Sequence, residues 1–169
     1  MNHINFANVL IKRLDKNTPG VSTFENKKQD MVDYLQRTAL TDQKIKGGTT
    51  LVWIHDNSVV LGFVTLAMYS INKKDLISQD NTWKQFPHRT IPAILIGQLA
   101  THKKYEGIGI GKMMLDSVIE TADFLSKKIG CRVVALHPQE DVISWYRKQK
   151  FNMLEMKSRQ KVMYIDILK

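Results

Sequence analysis

The sequence predicts an α/β fold, a mixed and mostly antiparallel sheet flanked by helices, in one domain over residues 1–169. Three observations carry this expectation. A strongly apolar strand, Ile91–Ala100, runs into a glycine-rich turn and then into an amphipathic helix. A second apolar strand, Cys131–Leu136, follows that helix and completes a strand-helix-strand crossover. Two stretches of paired strand segments, 49–69 and 151–168, read as antiparallel hairpins. A chain of this length fills one domain and buries a core without crosslinks.

Taken in order, Phe6–Leu10 is short and apolar and reads as a first strand. Asn26 is placed to cap a helix over Lys27–Leu40, whose Met31, Tyr34, Leu35 and Ala39 recur at helical spacing. Lys46-Gly47-Gly48 breaks the chain. Thr49–His55 and Val59–Tyr69 pair across an Asp56-Asn57 turn. Lys73–Arg89 is polar, contains Pro87 and reads as a loop with room for a helical turn. Ile91–Ala100 carries enough apolar residues to be buried on both faces. The long helix spans Gly109–Lys128, with Met114, Leu115, Val118, Ile119, Ala122 and Leu125 on one stripe. Gly130 ends it. Asp141–Gln149 reads as a short helix, and Phe151–Met156 with Val162–Leu168 as the last hairpin.

Lys and Arg outnumber Asp and Glu by 25 to 16, a net charge of +9. Such a field draws anions, including phosphates and nucleic acid; a simply solvated basic surface explains it equally well. Cys131 is the only cysteine, so no intrachain disulfide forms, and a reducing compartment follows. The start of the chain lacks the apolar core of a signal peptide, and no apolar run is long enough to span a membrane. These features lead us to expect a cytoplasmic protein. His3, His55 and His88 lack ligand spacing and Cys131 has no cysteine partner, so no metal site is expected.

The sharpest local signal is Glu106-Gly107-Ile108-Gly109-Ile110-Gly111-Lys112, three alternate glycines between a strand and a helix. Glycine tolerates positive φ and lets a ligand approach the backbone. Amides at a helix N-terminus then make an anion site, with a pyrophosphate as the obvious guest. The P-loop spacing fails, because Met113 follows Gly111-Lys112 and Glu106 stands five residues before Gly111. The dinucleotide fingerprint fails too, since the third glycine comes one residue early and the next strand ends in Leu136-His137-Pro138 without an acid.

Together with Val142-Ile143-Ser144-Trp145-Tyr146-Arg147-Lys148-Gln149-Lys150-Phe151, this pattern resembles the GNAT superfamily of acetyl-CoA-dependent N-acetyltransferases. The strand end Leu99-Ala100-Thr101, the glycine turn leading into Lys112-Met113-Met114-Leu115, and the aromatic-Tyr-x-Lys segment occur in the family's order and spacing. The resemblance covers about residues 49 to 156 and implies a GNAT-like fold. Two positions depart from it. Glu106 stands where the family carries Gln or Arg, and Lys150 stands where it carries glycine. Ser22-Thr23-Phe24-Glu25-Asn26, Met31-Val32-Asp33-Tyr34-Leu35, Gly62–Ala67 and Pro92–Ala100 resemble a branch that contains the toxins of toxin–antitoxin pairs. Those enzymes acetylate the α-amino group of aminoacyl-tRNA. The branch's Cys-Gly is absent here, where Glu25-Asn26 follow Phe24.

The resemblance implies roles. Acetyl-CoA would be anchored by Glu106, Gly107, Ile108, Gly109, Ile110, Gly111 and Lys112, with Ser144 and Tyr146 contributing downstream. Leu99, Ala100 and Thr101 would pair with the pantetheine, and a main-chain NH there would polarise the acetyl carbonyl. Tyr146 is the expected general acid, protonating the departing thiolate. His102, Glu106 and His137 are candidate bases by residue type alone, each equally readable as structural. The implied partners are acetyl-CoA, an amine acceptor such as aminoacyl-tRNA, an antitoxin protein and a second copy of the chain. Lys27, Lys28, Arg37, Lys44 and Lys46, extended by Arg89, Lys148, Lys150, Lys157, Arg159 and Lys161, offer charges for a tRNA backbone. A small amine, a protein amino group, or acyl-CoA binding without catalysis remain open alternatives.

Overall fold

In the computed structural model, residues 4–77 and 81–168 are described. Seven strands form one sheet in the order β1-β2-β3-β4-β5-β7-β6. They are β1 (Val9–Arg13), β2 (Thr49–His55), β3 (Val59–Asn72), β4 (Thr90–Thr101), β5 (Val133–Leu136), β6 (Asn152–Leu154) and β7 (Val162–Asp166). The pairs β1/β2, β2/β3, β5/β7 and β6/β7 are antiparallel, and β4/β5 is parallel. The mixed, mostly antiparallel sheet of the sequence reading is therefore present, with its single crossover through α4 (Ile110–Ser126). The strand order holds one feature that local pattern does not reveal: β7 inserts between β5 and β6.

The chain forms two compact units, Met1–Ala67 with Gly97–Asp116, and Met68–Ile96 with Ser117–Lys169. In the first, Leu14, Phe24, Val32, Leu35, Ala39, Val52, Ile54, Val60, Phe63 and Ala100 make the core. Three residues, Asp56 to Ser58, join β2 to β3; Asp56 and Asn57 both have positive φ, +48° and +54°, as the central pair of a primed turn closed by the Ser58 amide on the His55 carbonyl requires. The first strand starts later than expected. Phe6–Asn8 is a 3-10 turn whose Ala7 amide is held by the Asn5 side chain, and pairing begins at Val9.

The first helix also differs from the sequence reading. It comprises α1 (Gln29–Asp33), a π turn (Tyr34–Thr38) and α2 (Ala39–Lys44), beginning later than Lys27 and ending past Leu40. Asn26 is not its cap. The Asn26 side-chain Oδ1 accepts from the Lys28 amide (2.8 Å), and its side-chain Nδ2 donates to the Thr101 carbonyl (2.7 Å). Gln43 is buried at the end of this helix. It donates to the Leu14 carbonyl and accepts from the Thr50 amide, each at 2.8 Å, tying α2 to β2 just past the end of β1.

In the second unit Ile71, Leu76, Trp83, Ile91, Ala93, Val133, Ala135, Leu154 and Val162 are packed together. The expected loop over 73–89, of which 78–80 lie outside the described residues, contains a short helix α3 (Asn81–Gln85) that buries Trp83. Burial of one large ring compensates for the helix's lack of a regular apolar stripe. Arg132 holds buried Asp166 with two parallel hydrogen bonds of 2.9 and 2.8 Å, which matches both charges of this pair. The expected strand from Cys131 starts at Val133, and the long helix is two residues shorter at its C-terminal end than Lys128. Among the described residues no helix is long and apolar enough to cross a membrane.

Candidate active site

The glycine turn lies in the first unit, between the end of β4 and the start of α4. Gly107 and Gly109 adopt φ of +79° and +96°, so two of the three glycines are required by backbone conformation. Gly111 lies inside α4 and needs no such freedom. A Cβ at Gly107 or Gly109 would meet no atom within 4 Å. Open space, not crowding, therefore surrounds the turn, as a site for an incoming ligand demands. The first intrahelical bond runs from the Met113 amide to the Gly109 carbonyl (3.0 Å). The amides of Ile110, Gly111 and Lys112 precede it at the positive end of a helix of 17 residues, a place that favours an anion. Lys112 does not offer a free charge there, because its Nζ is bound to Asp116 (2.5 Å).

Glu106, the acid at the mouth of the turn, is paired with the Lys27 ammonium. This contact belongs to a longer strap. The Lys103 amide donates to the Glu25 carbonyl (2.8 Å), the side chains of the same two residues pair at 3.3 Å, and Asn26 holds the Thr101 carbonyl. Glu25, Asn26 and Lys27 thus bind Lys103, Thr101 and Glu106 in turn. Sequence reading assigned none of these roles, since charge pairs 79 residues apart leave no local signal.

Leu99, Ala100 and Thr101 are the last residues of β4. The parallel register with β5 runs from Ala93↔Val133 to Ile96↔Leu136, and β4 continues to Thr101. Opposite this end, Gly62 leaves no room for a side chain: a Cβ would lie 2.9 Å from both the Ala100 carbonyl oxygen and the Met114 sulfur. His102 is buried, and its Nδ1 accepts from the Lys104 amide (3.2 Å) while Phe24 and Tyr105 pack edge-on against the ring. Burial lowers its pKa below the usual histidine value. That geometry is structural. His137 lies in the second unit, its Nδ1 3.2 Å from the Lys161 carbonyl.

Tyr146 and Ser144 lie in the second unit on α5 (Ile143–Lys148), on different faces. Ser144 is exposed, whereas the Tyr146 ring is buried between Trp145 and Phe151, edge-on to both. Its hydroxyl makes no hydrogen bond to a described residue. Burial raises its pKa well above that of an ordinary tyrosine, so the phenol keeps its proton throughout the physiological range.

Residues 46–153 match the family described as the acetyltransferase (GNAT) domain, well over half of the chain. The chain belongs to the GNAT acetyltransferases. A tRNA-acetylating toxin of Mycobacterium tuberculosis is 29% identical over 121 residues, covering 72% of this chain and 70% of that protein. The solved structure of AtaT complexed with acetyl-methionyl-tRNAfMet aligns with a TM-score of 0.84 at 17% identity, covering 94% of each chain. A mutant of KacT aligns at 0.85 with 16% identity, covering 95% of this chain and 96% of that one. AtaTR bound with AcCoA aligns at 0.81 with 17% identity over 96% of each chain. The likeness to these structures establishes the fold.

The GNAT-like segment around Tyr146 ends with one strained residue. Lys150, in the place of the family's glycine, has φ +68°. It follows α5, where its amide donates to the Arg147 carbonyl (2.9 Å) and the Phe151 amide to Tyr146 (3.1 Å). A left-handed conformation at a non-glycine residue costs on the order of 1–3 kcal/mol, partly offset by the greater unfolded-state freedom of glycine. Lys150→Gly should therefore stabilise the protein by about 1 kcal/mol, read as a higher urea midpoint at an unchanged slope. An unchanged or lower midpoint would show that the turn carries no strain. Among the described residues no cluster of His, Cys, Asp or Glu is built to hold a metal.

Proposed function

We propose that this acetyltransferase moves the acetyl group of acetyl-CoA to a primary amine, the α-amino group of aminoacyl-tRNA, as a toxin acting in the cytoplasm. The observation that carries the cofactor assignment is the open, left-handed turn at Gly107 and Gly109 before the N-terminus of α4. The acceptor assignment is supported by the tRNA-acetylating relative and by the AtaT complex. In this reading the whole of residues 1–169 works as one N-acetyltransferase domain. Main-chain amides from Gly107 to Lys112 bind the diphosphate, with Glu106 and Ile108 shaping the turn. The end of β4, Leu99, Ala100 and Thr101, pairs with the pantetheine and presents a main-chain NH to the acetyl oxygen. Ser144 is assigned to the cofactor through the sequence resemblance.

The neutral amine attacks the thioester carbonyl, the C–S bond breaks as the amide forms, the leaving thiolate takes a proton from Tyr146, and the proton shed by the acylated nitrogen returns through solvent to the Tyr146 phenolate. A protonated, buried phenol supports that role. An antitoxin partner is proposed by analogy with AtaT, solved bound to the C-terminus of AtaR; a homodimer rests on the family resemblance.

The deciding experiment offers labelled acetyl-CoA with charged tRNA, peptides and small amines in parallel. Label should enter charged tRNA and become stable to deacylation only as the acetylated amino acid. Transfer to peptides or polyamines with none to charged tRNA would overturn the acceptor assignment. Binding without transfer to any amine would overturn catalysis.

A further inference from the structure

The second unit contains a cavity of about 640 Å³, bounded by the exposed face of α5, by β6 and by the segment that leads into β7. It lies entirely within residues 140–161 and shares none of the glycine turn, although Ser144, assigned to the cofactor by resemblance, also lines it. Its apolar part is Ile143, Met153, Leu154 and Met156. Arg147 and Arg159 both line it, and neither forms a hydrogen bond or ion pair with a described residue. Arg132 in the same unit, by contrast, has its acid. Glu140 also lines the cavity, but Lys161 is bound to its carboxylate, so the two arginines stand as uncompensated charge. Neither guanidinium therefore gains an ion pair among the described residues that would stabilise the fold.

We propose that this cavity binds a phosphodiester of the RNA acceptor, with Arg147 and Arg159 as donors and the methionine surface under a neighbouring base. The proposal rests on the aminoacyl-tRNA reading above. Guanidinium is a planar fork that matches phosphate oxygens two at a time. Methionine is flexible and polarisable and packs against a flat aromatic face. The volume lies within the range of small-ligand sites and accommodates a nucleotide. An acidic peptide would satisfy the charges but brings no flat ring for the apolar part.

The test measures binding of deacylated bulk tRNA by fluorescence anisotropy, and of acetyl-CoA by calorimetry, for the parent, R147Q/R159Q and R147K/R159K. Both arginines are exposed, so the variants should fold, which thermal melting checks. The glutamine pair should weaken tRNA binding at least tenfold at 0.1 M salt. It should also reduce the salt slope by about 0.7, the value for one lost phosphate contact on single-stranded RNA. The lysine pair should fall between, keeping charge but losing the fork. Acetyl-CoA affinity should not change. Unchanged tRNA affinity overturns the proposal, as does a matching loss of acetyl-CoA affinity, which would assign the site to the cofactor's own phosphates. A loss confined to an aspartate-rich peptide would assign it to a protein partner and overturn it too. The two readings separate cleanly. A parent that binds tRNA through these arginines but acetylates no charged tRNA refutes the acceptor assignment alone. A parent that acetylates charged tRNA with the same KM in the glutamine pair refutes the cavity alone.

Discussion

Lys27→Ala weakens acetyl-CoA binding about five- to tenfold at low salt, and adding Glu106→Gln restores it. This result is expected because Lys27 is the only described side chain that pairs with Glu106, at the mouth of the turn assigned to the diphosphate. With Lys27 gone, a bare carboxylate faces the incoming anion. Two unit charges about 6 Å apart in water repel by roughly 0.7 kcal/mol, and a diphosphate brings two charges, so about tenfold is the scale. The Lys27 side chain is 74% exposed and that of Glu106 33%, so added salt should shrink the effect toward nothing. Folding stability should barely move for the same reason. Acetyl-pantetheine, which lacks the diphosphate, should bind both single variants as it binds the parent. Glu106→Gln alone should bind acetyl-CoA at least as tightly as the parent. An unaffected Lys27→Ala, or a double variant as weak as the single, would mean that Glu106 does not face the phosphates.

Tyr146→Phe should lower kcat by about two orders of magnitude or more while acetyl-CoA affinity stays within about twofold. General acid catalysis is worth roughly 10² to 10⁴ in rate. Losing one hydroxyl that has no partner among the described residues should leave the ring packed between Trp145 and Phe151. The parent's pH–rate profile should show no loss from phenol ionisation up to about pH 10, because burial raises the Tyr146 pKa above its ordinary value of 10.0. The sign for stability is the reverse of a carboxylate's. The unfolded tyrosine ionises first, so the stabilisation is complete below pH 10 and is lost as pH rises from there through the folded pKa. Unchanged turnover in the phenylalanine variant would remove Tyr146 from the reaction.

Much of the architecture was legible where local pattern and tertiary structure agree. The α4 stripe is one case, with Met114, Leu115, Val118 and Ala122 all buried as their spacing predicts. The Asp56-Asn57 turn is another, since few residue pairs accept two successive positive φ values. The glycine turn between β4 and α4 was legible as a turn, although only Gly107 and Gly109 use the left-handed region. Long-range pairing was not. Nothing local marks Lys27 for Glu106, Asn26 for Thr101, or Gln43 for the backbone of Leu14 and Thr50. The insertion of β7 between β5 and β6 is likewise a matter of sheet register. The helical turn allowed for within 73–89 is α3, but its position was not legible because its burial rests on Trp83. Tyr146 carries no catalytic mark in its spacing; family resemblance singled it out, and its burial and raised pKa fit a proton donor.

The π turn at Tyr34–Thr38 changes how the start of this chain can be lined up with that of a relative. Each residue of an α-helix advances the chain by about 100°. A turn closed one residue later takes up an extra residue locally and passes little of that rotation on. Leu35, Ala39 and Gln43 keep one buried stripe at intervals of four, wider than a regular helix sustains without drifting. A relative with an uninterrupted helix here would match Gln29–Asp33 in one frame and Ala39–Lys44 in another, offset by one position. Aligned without a gap, one of the two halves would compare core residues with surface residues, and true kinship would look like divergence.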